Sequence, residues 1–198
     1  MKKNVDLVRV LRETVGDDTE LMFDVHSGWD LTYALAWDKR VEQYRPRWLV
    51  EATQAEKIDS FAQLPKGTSI PIASGEHIQG RWEVYDYLKE SALSVVQCDP
   101  EWCGGLSELQ KICTVASIYG VPVIPHGHSL HAVLHLIASQ SRGRVSAGGV
   151  SDFEDAVVLS FREGCTGPES GALRASGRAG IRHRIRRCQS RIAPGGAL

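Results

Sequence analysis

The stretch Ile70-Pro-Ile-Ala-Ser-Gly-Glu-His77 has the composition of a buried β-strand that ends in a carboxylate. Four other short apolar runs end in the same way, in an acidic residue or a histidine. The residues that close the five runs are Asp24, Glu51, Glu76, Asp99 and His126, at intervals of 27, 25, 23 and 27 residues. A strand, a helix and two loops together use a few tens of residues, so this regular spacing predicts a series of βα units.

Strands joined by right-handed helical crossovers run parallel, and their carboxyl ends meet at one face of the sheet. We therefore expect the five polar residues to converge. In an α/β barrel that face holds the active site, whereas the opposite strand ends are structural. The predicted fold is α/β, a partial barrel of the (β/α)7β type with about five parallel βα units.

Segments with apolar residues at helical spacing separate the predicted strands. Pro65 and Gly120 are expected to end the third and fifth of these helices. The chain opens on a helix, which suggests that a strand of the complete fold precedes Met1. The predicted helices are Val5–Val15, Leu31–Tyr44, Gln54–Leu64, Arg81–Ser91, Leu106–Tyr119 and Leu130–Ser139.

The composition changes near residue 141. The 198-residue chain is 42% hydrophobic and 24% charged, with a net charge of −1. The segment Arg142–Leu198 has ten Arg and five acidic residues but no Lys, Trp or Tyr. We expect a partial barrel domain over 1–141 and a disordered or aberrant basic tail over 142–198 that lies outside the fold. No aromatic residues interleave with the arginines, so nucleic-acid binding is not predicted.

Targeting and redox signals are weak. No apolar segment follows the amino-terminal Met1-Lys-Lys-Asn4, and no apolar run approaches the roughly 18 residues that span a bilayer. The chain has an odd number of cysteines, five, and Cys98, Cys103 and Cys113 lie in or beside predicted core elements. We expect reduced thiols, no membrane partner and a cytoplasmic location.

Three carboxylates close successive strands: Asp24, Glu51 and Glu76. Converging unpaired carboxylates repel and raise one another's pKa, so they need a cation. A site made only of oxygen atoms favours Mg²⁺ over Zn²⁺. A single carboxylate would more simply be a solvated loop acid or the partner of an arginine, but three in register predict a metal site.

A histidine and an aspartate close the last two strands. Asp99 is expected to accept a hydrogen bond from one ring nitrogen of His126, which raises the basicity of the other nitrogen and suits a general acid or base. His26 lies two residues beyond Asp24 and would face the same side of an extended strand. The alternative for each histidine is a structural group. A rival transition-metal site would combine His126, His128, His131 and His135, although no Glu next to His131 completes a zinc-protease motif.

These residues match a known pattern. Asp24, Glu51 and Glu76, followed by Cys98-Asp-Pro100 with Gly104-Gly105 and then Ile124-Pro-His-Gly127, resemble the barrel of the enolase superfamily, in its mandelate racemase-like branch. Ser74–His77 and Trp102–Leu106 are most similar to acid-sugar dehydratases of the rhamnonate type. The resemblance covers about Met1–Ser141.

The resemblance implies a fold and a chemistry. It implies Mg²⁺ held by the three strand-end carboxylates, abstraction of the proton next to a substrate carboxylate, and loss of water from a sugar acid. His126, oriented by Asp99, would act as acid or base, and His26 is a further candidate acid. His77 and His128 would bind substrate. A racemase or cycloisomerase of the same superfamily, or a non-catalytic metal-binding fragment, remains an alternative.

The chain also departs from that pattern. The family's capping domain, its first barrel strands and the Lys-bearing strand have no counterpart here, and Ser146-Ala147 stands where the family has an acidic residue. Five strands do not close an eight-stranded barrel, so two sheet edges would stay unpaired. We expect a chain of low stability that forms a homo-oligomer if it folds.

Overall fold

The structure is a computed structural model of the chain and describes residues 1–126, 130–140, 157–160 and 173–174. Within these residues helices and strands alternate along most of the chain. The helices are α1 (Lys2–Val15), α2 (Leu31–Val41), α3 (Ile58–Gly67), α4 (Gly80–Lys89), α5 (Leu106–Ile118) and α6 (Leu130–Ser139), and a 3-10 turn, Glu42–Tyr44, follows α2. The strands are β1 (Leu21–Asp24), β2 (Trp48–Val50), β3 (Ile72–Ser74), β4 (Val95–Val96), β5 (Val157–Ser160) and β6 (Leu173–Arg174).

Strands β1 to β4 lie side by side in chain order and pair in parallel, as the spacing predicts. Met22 is opposite Trp48 in the first pair, and Leu49 is opposite Ile72 in the second. Because each strand is separated from the next by a helix, all four carboxyl ends lie at the same edge. Four parallel strands of the predicted α/β fold are therefore confirmed.

The predicted fifth strand, 121–126, forms only one β-bridge, between Val96 and Val123. The segment still runs parallel to β4, since Ile124 N donates to Val96 O at 2.8 Å and His126 N donates to Cys98 O at 3.2 Å. Pro122 and Pro125 have no amide hydrogen, which limits a regular ladder. The prediction was correct in direction and place but too generous in length.

The predicted tail contains the two remaining strands. β5 pairs in parallel with β1, with Leu21 opposite Val157 and Asp24 opposite Ser160, and β6 pairs antiparallel with β5. These six residues belong to the sheet, contrary to the expectation that nothing beyond residue 141 joins the fold. The pairing gives the open side of β1 a partner for its backbone groups. Most of the predicted tail lies outside the described residues, and the boundary at 141 stays a prediction.

The helices occupy the predicted places with shifted ends. The side chain of Asp30 accepts a hydrogen bond from Tyr33 N at 2.7 Å, which fixes the start of α2. The largest error concerns α3, which was expected over Gln54–Leu64 but begins at Ile58 and continues through Pro65 to Gly67. A proline near the end of a helix removes only one hydrogen bond, and Thr68 N still donates to Leu64 O at 3.0 Å.

The sheet is apolar on both faces, as parallel sheets covered on both sides are. One face joins the helices in the larger core, which includes Phe23, Leu49 and Ile72. The other carries a smaller group, called here the inner-face cluster: Met22, Trp48, Val50, Ala73, Val95 and Ile124. Among the described residues, none of the helices has the length and apolar character needed to cross a bilayer.

Candidate active site

Strand alternation brings three polar residues to the inner face of the sheet. Asp24 is two residues beyond Met22 of the inner-face cluster, and His126 is two residues beyond Ile124. Asp99 is four residues beyond Val95. Because side chains alternate along extended chain, all three share the side of the inner-face cluster and lie at the carboxyl ends of the strands.

The side chain of Glu51 also lies at these strand ends, but strand alternation does not account for its direction. It follows Val50 of the inner-face cluster, so continued alternation would turn its side chain toward the helices. Instead, its backbone is left-handed, with φ of 49°. A left-handed conformation in a residue other than glycine costs about 1–2 kcal/mol, and such strain is concentrated at functional sites. Its side chain is 1% exposed and lies among other ionisable groups.

Glu76 depends on the glycine before it. Gly75 has φ of 149°, in the region that L-residues rarely adopt. A Cβ at this position would lie 2.6 Å from Cys98 N and 2.7 Å from Gln97 N. Only glycine allows the end of β3 to lie this close to the backbone that follows β4, and Glu76 enters the site from that turn.

Two histidines approach the buried carboxylate of Glu51. His77 Nδ1 is 2.6 Å from Glu51 Oε1, and His26 Nδ1 is 3.6 Å from Glu51 Oε2. Ser27 Oγ donates a longer hydrogen bond, 3.4 Å, to Oε2. One candidate ligand atom from each of His26, Glu51, Glu76 and His77 lies within 4.8 Å of the others. Four of the predicted site residues therefore meet in one cluster.

His26 faces the site for a reason other than the predicted one. We expected it to share the side of Asp24 on an extended strand, but β1 ends at Asp24 and His26 has φ of 47°. The chain turns back there, and His26 N donates to Asp24 Oδ1 at 2.8 Å. The turn directs the imidazole toward Glu51.

Asp24 borders the cluster of four. Burial raises the pKa of its carboxyl group, and the negative charges of Glu51 and Glu76 raise it further, against the lowering effect of the hydrogen bond from His26 N. Asp24 thus shares the electrostatic environment of the two glutamates, as predicted. It is not among the four residues whose ligand atoms lie within 4.8 Å of one another.

His126 bridges two carboxylates. Its Nδ1 is 3.4 Å from Asp99 Oδ2, and its Nε2 is 3.5 Å from Glu76 Oε2. Asp99 is itself held in place, because its Oδ1 accepts a hydrogen bond of 2.7 Å from Glu101 N. The predicted pair of Asp99 and His126 is in contact, with the second ring nitrogen directed to the cluster.

Most of the chain matches a described family. The model for enolase C-terminal domain-like proteins matches residues 1–181. The chain belongs to this family. This confirms the resemblance to the mandelate racemase-like branch of the enolase superfamily, and the match extends past the predicted boundary at residue 141.

Relatives within the enolase superfamily have several activities in their names. D-galactarolactone cycloisomerase of Agrobacterium fabrum is 32% identical over 145 residues, which are 71% of this chain and 38% of that protein. Arabinonate dehydratase of Saccharolobus solfataricus is 33% identical over 143 residues, 70% of this chain and 38% of that protein. The chain thus spans well under half the length of these relatives.

A solved structure supports the same placement. The crystal structure of rhamnonate dehydratase from Gibberella zeae complexed with Mg superposes with a TM-score of 0.68 at 29% identity, covering 73% of this chain and 36% of that one. The likeness extends over nearly three quarters of the chain. This enolase-superfamily chain therefore has an α/β fold with four parallel strands that corresponds to part of these relatives.

The donor set fits a divalent cation. Asp24, Glu51 and Glu76 supply carboxylate oxygens, the ligands that Mg²⁺ prefers. Glu51 is almost completely buried, and the neighbouring carboxylates raise the pKa of Asp24. A cation would relieve this repulsion, because an ion of opposite charge favours the ionised carboxylates.

The carboxylate of Glu51 also affects the pKa of His77. Burial lowers the pKa of its imidazole, but the hydrogen bond and the charge of Glu51 outweigh burial and raise the pKa above its ordinary value. The ring packs edge to face on Trp102 at a centroid distance of 5.3 Å. Trp102 is 52% exposed and stands at the rim of the cluster.

Sequence reasoning missed the position of Trp102. It counted only as part of a motif, although a large aromatic residue three positions after the strand-end Asp99 was a usable signal for a binding surface. His128 lies outside the described residues, as does the side chain of His131. The rival metal site that would use them therefore stays a prediction. His135 is exposed on α6.

Proposed function

We propose that the chain carries the catalytic face of an acid-sugar dehydratase that requires Mg²⁺. The observation that carries this proposal is the meeting of Glu51, Glu76 and the Asp99–His126 pair at one set of strand ends. Two acidic groups beside a histidine acid/base suit removal of a proton from a weak carbon acid. Two similar proteins are named as dehydratases of arabinonate and L-rhamnonate.

Asp24, Glu51 and Glu76 would hold the Mg²⁺. When bound, the ion supplies positive charge that stabilises the negative charge developing on the substrate carboxylate. The protein's contribution is to keep three carboxylates together in a mostly buried position. The left-handed Glu51 and the turn at Gly75 perform this task before any ligand arrives.

His126 would remove the proton from the carbon next to the substrate carboxylate. The electron pair of that C–H bond forms a carbon–carbon double bond as the hydroxyl on the next carbon leaves with a proton, as water. The enol that results rearranges to a 2-keto-3-deoxy acid without any change in overall oxidation state. Asp99 positions His126 and stabilises its protonated form.

His77 and Trp102 would bind the substrate, and His26 would protonate the leaving hydroxyl. His77 lies between Glu51 and the exposed ring of Trp102, so a ligand above the cluster would touch both. An aromatic face suits the C–H side of a sugar acid. His128, two residues beyond His126, is proposed as a further substrate contact from its sequence position alone.

Cycloisomerisation is the second candidate, because a relative of 32% identity is named as a cycloisomerase. The reaction shares proton removal next to a carboxylate, but the leaving group is then a ring oxygen of the same molecule and no water is released. The two reactions are therefore separable by their substrates, an open-chain acid sugar for the dehydratase and a lactone or anhydro sugar for the cycloisomerase.

The test uses the full chain with Mg²⁺ and a panel of acid sugars that includes arabinonate and L-rhamnonate, in D₂O. A dehydratase gives a carbonyl product, detected as its semicarbazone. A racemase leaves deuterium on the carbon next to the carboxylate without releasing a carbonyl, and a cycloisomerase acts on a lactone or anhydro sugar but not on an open-chain acid sugar. If no open-chain acid sugar gives a carbonyl product, the proposal is refuted.

His126→Ala is the variant that assigns the acid/base role. It should abolish turnover while Mg²⁺ binding, measured by calorimetry, stays within about threefold of the parent chain. Glu51→Gln should lose both. Turnover that persists in His126→Ala would remove His126 from the mechanism.

A further inference from the structure

Within the part of the chain that the structure describes, one group of potential metal ligands differs from the all-oxygen set. It consists of His26, Glu51, Glu76 and His77, whose candidate ligand atoms all lie within 4.8 Å of one another. Two of these four donors are imidazole nitrogens. Asp24, which completes the proposed Mg²⁺ set, is outside this group.

The dimensions suit one small ion. A tetrahedral Zn²⁺ ion with bonds of about 2.1 Å holds its ligand atoms about 3.4 Å apart. Atoms that now lie within 4.8 Å of one another need to move toward their common centre by less than about 1 Å each. The imidazoles of His26 and His77 are half-exposed, so rotations about their side-chain bonds can contribute to this adjustment.

The two histidines are already directed at the shared carboxylate. His77 Nδ1 contacts one oxygen of Glu51 at 2.6 Å, and His26 Nδ1 lies 3.6 Å from the other. The rings are neighbours, with centroids 5.4 Å apart. Trp102 supports the His77 ring, and the left-handed backbone of His26 sets the direction of the other ring.

We infer that His26, Glu51, Glu76 and His77 form a second cation site, one for a divalent transition metal such as Zn²⁺ or Co²⁺. Imidazole nitrogen favours these ions over Mg²⁺, which prefers oxygen. The inference rests on the proposed function only in the assignment of Asp24, Glu51 and Glu76 to Mg²⁺. Because both sites use Glu51 and Glu76, occupation of one excludes the other.

A consequence follows for activity. A transition metal bound at this second site uses Glu51 and Glu76 as ligands, so these glutamates are no longer available to Mg²⁺. It also binds the imidazoles of His26 and His77, which are proposed to protonate and to bind the substrate. Zn²⁺ is therefore expected to act as a competitive antagonist of Mg²⁺. Excess Mg²⁺ should displace it only at high ratios, since zinc binds nitrogen and oxygen ligands more tightly.

The test measures by calorimetry how variants of the full chain bind Zn²⁺ and Mg²⁺, with the two ions titrated separately. His26→Gln with His77→Gln should weaken Zn²⁺ binding by about a hundredfold and leave Mg²⁺ binding within about threefold. Asp24→Asn should weaken Mg²⁺ binding by about tenfold or more and leave Zn²⁺ binding within about threefold. Glu51→Gln should lose both.

Co²⁺ provides a second readout that does not depend on heat. The visible absorption of bound Co²⁺ should show nitrogen ligation in the parent chain and disappear in the double His→Gln variant. His135→Gln, on the exposed face of α6, is the control and should change neither titration. Near-UV dichroism of each variant checks that the fold is retained.

Zn²⁺ binding that survives loss of both histidines would overturn the inference, as would equal loss of both ions in Asp24→Asn. If the chain binds no Mg²⁺ but binds Zn²⁺ through His26 and His77, the second site stands and the proposed function fails. If Mg²⁺ binding depends on Asp24 but Zn²⁺ binding does not depend on His26 and His77, the proposed function stands and this inference fails.

Discussion

At the scale of single residues, the contact with His77 provides the buried carboxylate of Glu51 with a partner. A carboxylate that is 1% exposed is expensive to bury unless it is paired. His77 provides that pairing at 2.6 Å, and its pKa rises because the hydrogen bond and charge of Glu51 outweigh burial. The His77 imidazole thus pairs with the carboxylate of Glu51 as long as no cation is bound there.

Three thiols give the clearest pH prediction. Burial raises the pKa of Cys98 well above its ordinary value and the pKa of Cys103 and of Cys113 to about 11. Each folded thiol holds its proton more tightly than an unfolded one. Their contribution to the free energy of unfolding is therefore fully present below about pH 9 and is lost as pH rises toward about 11.

The measurement is alkylation by iodoacetamide at pH 8, in a chain whose Cys165 and Cys188 are changed to Ser. A pKa of about 11 instead of about 9 lowers the reactive thiolate fraction by about a hundredfold. Native protein should therefore react at least that much more slowly than protein in urea. Equal rates in the two states would show that these thiols are not buried.

Which residues form the site was predictable, but how they reach it was not. The regular spacing identified Asp24, Glu51 and Glu76 because parallel strands gather their carboxyl ends. Spacing carries no information on the left-handed backbone at Glu51 and His26, which arises from contacts made after the strands pair. The two imidazoles beside Glu51 were hence expected as substrate or acid groups and not as potential ligands.

At the scale of elements, the end of β3 is the least tolerant position. Gly75→Ala should lower the free energy of unfolding by about 3 kcal/mol, since it adds left-handed strain to an overpacked contact. The clash is with the backbone of 97–98, which cannot move aside as a side chain can. Urea unfolding measures the change.

Gly120→Ala is the matched control. Gly120 has φ of 68°, but a Cβ there would meet nothing within 4 Å. It should therefore cost only about 1 kcal/mol, the strain of the backbone itself. Equal losses for the two variants would mean that the contact between the ends of β3 and β4 is looser than described.

The loop after β4 carries the proposed substrate surface. Trp102→Phe should remove most of the change in tryptophan fluorescence that L-rhamnonate or arabinonate produces in the Mg²⁺-loaded chain, because Trp102 is at the rim of the site. Trp82→Phe should retain that change. Trp82 is 72% exposed on α4, where Arg81 lies over its ring, and is a matched control.

The outcome that contradicts this role is a full fluorescence response in Trp102→Phe together with an unchanged KM. Loss of the response in both variants would instead indicate a conformational change that spreads beyond the loop.

Helix positions followed from the sequence better than helix ends. The periodicity placed α6 at Leu130–Ser139, as observed. It misplaced α3 because Pro65 was treated as a stop, although a proline close to a carboxyl end removes little. The length of the fifth strand was overestimated because the prediction followed the apolar pattern and took no account of Pro122 and Pro125, which have no amide hydrogen.

At the scale of the whole molecule, the chain spans 38% of the length of two relatives to which it is 32% and 33% identical over the aligned residues. Its sheet nevertheless has the proposed metal ligands on neighbouring strands. We propose that the folded chain forms a homo-oligomer in the cytoplasm, as the sequence suggests. Mass measurement in solution tests the first part.

Mg²⁺ should stabilise the molecule as a whole. A ligand that binds only the folded chain at ten times its Kd raises the free energy of unfolding by about 1.4 kcal/mol. Urea unfolding at pH 7 with and without Mg²⁺ should show this increase. Glu51→Gln should show none, and a similar increase in that variant would place the ion elsewhere.

Pro125, at the outer edge of the segment 121–126, has a consequence for solubility. On the side of this segment that faces away from β4, Val121 N is already used by Ala116 O, and Pro125 has no amide hydrogen. Only Val123 is left on that side with an amide to offer an incoming strand. An edge with so few donors is a poor template for other chains. A partial sheet that would otherwise polymerise edge to edge is thereby protected against fibril growth on this side.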